Sequence, residues 1–153
     1  YMRTLRPDTE FIYSDDQVFN LGGFEVLSEG RDIVICAAGY MVHEANKAVE
    51  MLYKEGVSAT LVDLYSLPFD EEKLLDIIGQ NNGYVITLED NYGGGIGSAV
   101  SDALTASGDA FPLLQMHVRH IPKSYREPEE ILAACGLSAG HVVRNTMELL
   151  QIA

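Results

Sequence analysis

Ten consecutive residues, Leu88-Glu89-Asp90-Asn91-Tyr92-Gly93-Gly94-Gly95-Ile96-Gly97, bring two carboxylates and an amide up against a glycine series. Exposed amides at the start of a helix attract anions, and glycine would let a phosphate approach them. The spacing matches neither the dinucleotide fingerprint nor a phosphate loop with its Lys-Ser/Thr ending. It fits better a tight strand-to-helix turn in which small residues allow close packing. Glu89 and Asp90 are the residue types that share acid–base work. Neighbours in a strand point to opposite faces, however, so the two would not meet at one substrate atom, and a hydrogen-bonding or interface role is expected. The four histidines, His43, His117, His120 and His141, are scattered. His117 and His120 form a close pair, but a metal site needs three or four convergent ligands and no cluster completes one. His43, in the first turn of a predicted helix, is expected to cap or to touch an interface.

Four apolar runs frame these residues: 33–38, 59–64, 84–88 and 113–118. Their length and β-branched content predict strands buried on both faces, as in a parallel sheet covered by helices. Val42, Ala45, Val49 and Leu52 form one helical stripe, stopped by Gly56. A second helix starts at an Asp70 N-cap and ends near Gly79, and a third carries Ile96, Ala99, Val100, Ala103 and Leu104. Two more are predicted around 128–135 and 138–152. Strand–helix alternation with short connections predicts a three-layer α/β/α sandwich, with Phe24–Leu27 as an edge strand.

At 153 residues the chain has the size of one domain, and it is 47% hydrophobic and 22% charged. A formal charge of −13 repels phosphate backbones and anionic lipid, so neither nucleic acid nor a membrane surface is an expected partner. No apolar run approaches the length of a membrane span and no basic-then-apolar leader is present, which reads as a cytoplasmic protein. Cys36 and Cys135 both lie in apolar stretches and are expected to be buried reduced thiols. A start at Tyr1 is expected of a fragment, a processed chain or a trimmed one.

Read together, the opening Tyr1-Met2-Arg3-Thr4-Leu5-Arg6-Pro7, the stretch Gly39-Tyr40-Met41-Val42-His43-Glu44-Ala45 and the glycine series give essentially the whole chain a resemblance to the transketolase family. The part resembled runs from the last strand of the pyrimidine-binding domain through the carboxy-terminal domain. The resemblance implies a junction over residues 1–20 and a domain over 21–153. It also implies a five-stranded mixed sheet in order 1-3-2-4-5 with strand 1 antiparallel. That order would place the loops after the runs ending at Ala38 and Leu88 beside the topological switch point, the usual ligand crevice of open α/β sheets.

The resemblance further implies a two-carbon ketol transfer between sugar phosphates, with thiamine diphosphate and a divalent metal, Mg²⁺ or Ca²⁺, held by other domains. This chain would bind no cofactor alone. Its partners would be the thiamine-binding domains or subunit and a second copy in a homodimer. Arg3, four residues before Pro7, matches the family arginine that binds the substrate phosphate, and a planar guanidinium fork suits that ligand. Arg6 is expected to be structural. His43 and the Glu89–Gly97 stretch would lie near the two-fold contact. Carboxy-terminal domains of deoxyxylulose-phosphate synthases and 2-oxoacid dehydrogenase β-subunits share the implied fold and are the alternatives within enzymes. A nucleotide- or effector-binding module of the same shape is the alternative outside them.

Overall fold

The structure, a computed structural model, describes residues 9–151. In chain order the elements are β1 (Glu25–Ser28), β2 (Ile33–Ala37), α1 (Met41–Lys54), β3 (Ala59–Asp63), α2 (Glu71–Gln80), β4 (Val85–Tyr92), α3 (Ile96–Ser107), β5 (Leu113–Val118), α4 (Pro128–Cys135) and α5 (Ala139–Leu149). The strands form one sheet in order β1-β3-β2-β4-β5. β1 pairs antiparallel with β3, and the other pairings are parallel. This is the order and polarity the resemblance implies.

Alternation along the strands divides the interior into two cores, because successive side chains leave a strand on opposite faces. Ile33, Ile35, Ala37, Leu61, Ile86 and Leu88 join the apolar stripes of α1, α4 and α5 on one face. Val34, Cys36, Val62 and Val85 join Leu74 and Ile78 of α2 and Val100 and Leu104 of α3 on the other. Every residue of β2 and β3 is buried, which is why neither run alternates with polar residues.

Two boundaries differ from the sequence reading. β4 runs on to Tyr92, since after an irregularity the chain rejoins β5 through the pair Tyr92 and Val118. The polar residues Glu89–Tyr92 are thus still strand, which an apolar-run criterion does not register. The edge strand begins at Glu25 rather than Phe24, whose ring is buried beneath it. Cys36 is fully buried, and burial pushes its thiol up to about 12; Cys135 is only half-buried.

Candidate functional site

His43 and the Glu89–Gly97 stretch, singled out above, lie at or just after the carboxyl ends of β2 and β4. At the end of β4 the two neighbouring acids part company. Glu89 turns inward and is buried, its Oε2 accepting from the Ile96 amide at 3.3 Å and its Oε1 from the Gly97 amide at 3.2 Å. The carboxylate thereby satisfies two amides that the first turn of α3 leaves open, and its charge sits on the positive end of the helix dipole. Gly95 is the N-cap, and a Cβ there would run into the Glu89 carboxylate. A Cβ on Gly97 would come within 2.8 Å of Gln115 Oε1 and 3.0 Å of Thr87 Oγ1. Both glycines exist for close approach within the domain, and Gly94 turns the chain at a φ of +103°.

Asp90 instead lines a cleft of about 440 Å³ at the switch point between β2 and β4, with Tyr40, Tyr92, Val118, Leu132 and Cys135 among its other walls. The lining is mostly apolar and carries no cationic side chain. Asn91, Tyr92, Gly93 and Gly94 are exposed beside it. His43 lies half-buried on α1 with its ring 5.8 Å from that of Tyr40.

A second polar group occupies the end of β3. The Tyr13 hydroxyl donates to Asp63 Oδ2 at 2.7 Å across 50 residues of sequence. Asp63 is buried, and Oδ1 finds no hydrogen-bond partner among the described residues. Burial pushes the Asp63 carboxyl above the usual aspartate range, with Glu25 adding to the shift and the Tyr13 hydrogen bond and His43 opposing it. Burial and then the Asp63 contact hold Tyr13 well above the ordinary tyrosine range.

A third acid, Glu44, lies in the buried stripe of α1 between Met41 and Ala48. Its Oε2 accepts from the Ala139 amide at the start of α5 at 2.8 Å, and its Oε1 pairs with Lys47 at 2.7 Å. The sequence reading singled out neither Tyr13, Asp63 nor Glu44. For Glu44 a signal existed, a carboxylate on the apolar face of an amphipathic helix. For Asp63 it was an acid closing a fully apolar strand. Tyr13 carried none.

His117 Nδ1 lies 3.2 Å from the Val118 carbonyl, and His141 Nδ1 lies 2.7 Å from Ser138 Oγ, so the histidines serve separate local contacts. Among the described residues no group of three or more His, Cys, Asp or Glu is arranged to hold a metal ion. A cofactor diphosphate does not fit either, because the α3 amides it would need already hold the Glu89 carboxylate, and a second anion there meets its charge. No described helix is long and apolar enough to cross a membrane. Arg3 and Arg6 lie outside the described residues.

Fold and site define a three-layer α/β domain whose sheet-end acids cap helices and tie down chain segments. This chain belongs to the transketolase carboxy-terminal domain family, whose model matches residues 22–142. It is similar to transketolase-like protein 1 of Bos taurus, with 34% identity over 94% of this chain and 24% of that protein. It is 33% identical to a putative transketolase C-terminal section of Methanocaldococcus jannaschii, over 97% of this chain and 47% of that one. The solved structure of a split-gene transketolase, described as an inactive β4 tetramer, superposes with a TM-score of 0.85 at 34% identity, covering 94% of this chain and 47% of that one. The chain thus spans about a quarter of the bovine relative and about half of the archaeal one.

Proposed function

We propose that this chain is the carboxy-terminal domain of a thiamine-diphosphate-dependent transketolase, which moves a two-carbon ketol unit between sugar phosphates. The observation that carries this reading is the family match over residues 22–142, supported by the similarity to a transketolase C-terminal section along 97% of this chain. The cofactor and its divalent metal belong to domains that precede this one, and the domain supports the active-site wall and a homodimer. Asn91, Tyr92, Gly93 and Gly94 are exposed and serve the two-fold contact, while Glu89, Gly95 and Gly97 hold that loop in shape. His43, on the helix that follows β2, stands at the same carboxyl end of the sheet.

Arg3 binds the terminal phosphate of the substrate in this reading. The test is Arg3→Ala in the enzyme with its thiamine-binding domains joined to this one. A hydrogen bond to a charged group is worth about 1.5–3 kcal/mol, which is roughly ten- to a hundredfold in kcat/KM for phosphorylated sugars. Non-phosphorylated acceptors should lose almost nothing, and Arg3→Lys should recover only part of the activity. Equal losses for both acceptor types would make Arg3 a structural residue of the junction.

A further inference from the structure

Residues 9–23 form no strand or helix, yet specific contacts fasten them across the edge of the sheet. The Tyr13 hydroxyl reaches the buried Asp63 carboxylate at 2.7 Å. The Phe19 ring stands edge-on to both Tyr13, at 4.9 Å, and Tyr65, at 5.0 Å. Gln17 Nε2 donates to Glu25 at 3.2 Å. Gly22 accepts from the Asp70 amide and donates to Ser66 Oγ, both at 2.9 Å, which brings the backbone at Leu21 beside the loop carrying Leu67.

The outer side of this segment is apolar. Of the eleven large hydrophobic side chains exposed among the described residues, five (Phe11, Ile12, Val18, Phe19 and Leu21) fall within residues 11–21, and Leu67 adjoins them. Leu21 is fully exposed and Phe11 is 93% exposed. Such clustering marks an interaction surface, because scattered surface hydrophobes need no partner and a contiguous set does. Residues 9–25 also hold Glu10, Asp15, Asp16 and Glu25 and no lysine or arginine.

We propose that residues 9–23 are a strap whose inner side is bolted to β3 through Tyr13 and Asp63, and whose outer side, with Leu67, is the docking face for the domain that precedes this one in transketolases. The inference rests on the proposed function. The occupant follows from position. The family is a C-terminal domain and the bovine relative is about four times as long as the stretch it shares with this chain, so the strap, lying just ahead of the region the family model matches, is where an upstream domain would meet this one. A face that matches the strap would be apolar at its centre with a basic rim, to complement the strap's acids.

The experiment is amide hydrogen exchange on two proteins, this chain alone and the enzyme with its preceding domains joined, the latter also assayed for ketol transfer. Amides of residues 9–23 should exchange at least tenfold more slowly in the joined enzyme. Leu21→Asp combined with Val18→Asp should return them to the rate of the isolated chain, and Tyr13→Phe should return them part of the way. Tyr53→Asp, on the equally exposed outer face of α1, should change nothing. An active joined enzyme with no added protection of the strap overturns this inference and leaves the proposed function standing. Protection without ketol transfer supports the docking face and sinks the proposed activity. Protection of the isolated chain that rises with concentration, together with a dimer by light scattering, makes a second copy the occupant and overturns the proposal.

Discussion

Glu89 resolves the chemistry of the glycine series. Read as sequence, two acids before four glycines leave a phosphate cradle, an acid–base pair and a packing turn all open. The carboxylate instead occupies the α3 amides, and Gly95 is glycine because the carboxylate lies where a side chain would start. Gly95→Ala should therefore destabilise the fold by about 1–3 kcal/mol in urea unfolding, the usual cost of overpacking. In a double-mutant cycle with Glu89→Ala the losses should fall short of additivity, because removing the carboxylate makes room for the methyl. Strict additivity would refute the steric account. Tyr13 makes a second residue-scale prediction. Its ordinary pKa is 10.0 and the fold raises it, so above about pH 10 the unfolded chain releases a proton that the folded chain keeps. Stability then falls as pH rises, and the excess stability of the wild type over Tyr13→Phe should shrink across that range. Asp63 acts in the same sense lower down. From its unfolded value of 3.8 up to its raised folded value, rising pH costs stability. An alkaline loss of equal size in Tyr13→Phe would assign it to other tyrosines.

At the scale of elements, Glu44 does for α5 what Glu89 does for α3: a carboxylate from another element, the preceding strand for α3 and the distant α1 for α5, supplies a cap that the helix's own N-cap residue lacks. Ser138, the N-cap of α5, makes no side-chain cap of its own; its hydroxyl is engaged with His141. Glu44→Ala should leave the buried Ala139 amide unpaired and cost about 1–3 kcal/mol. Helical signal from α5 should melt ahead of the sheet if the cap is what holds it to α1, and a variant as stable as the wild type would show that Ser138 can take over. These caps also mark the limit of what was legible beforehand. The strands β2, β3 and β5 and the stripes of α1 and α3 follow from local periodicity, which one element contains entire. Strand order did not follow from it, since β3 crosses to one side of β2 and β4 to the other without any local trace; that order came from the family resemblance. In pairings such as Glu44 with Ala139 and Tyr13 with Asp63, 95 and 50 residues apart, the misplaced acid is visible locally but nothing near it names its partner.

At the scale of the whole molecule, the buried acids among the described residues are already engaged. Glu89 and Glu44 cap helices, Asp63 holds Tyr13, and Cys36 is a buried thiol far from its reactive form. The cleft at the switch point is walled mostly by apolar side chains with Asp90 at its edge, and the chain carries a net charge of −13. An anionic diphosphate meets no cationic group among the described residues lining that cleft and unfavourable net charge around it. Under the proposed function the reactive chemistry comes from the cofactor, and the described residues of this domain add no second reactive group to it. The isolated chain should accordingly fold, bind no thiamine diphosphate in calorimetry and transfer no ketol unit. A ligand that binds only the folded state at a hundred times its Kd stabilises by about 2.7 kcal/mol. For a domain of this size that is a rise in Tm of roughly 5–10 °C. Thiamine diphosphate with Mg²⁺ should leave the Tm of this chain unmoved and raise the Tm of the enzyme once the preceding domains are joined to it, by fewer degrees because the same free energy is spread over a longer chain. A rise in the chain alone would place a cofactor site in this domain and remove the division of labour on which the proposed function depends.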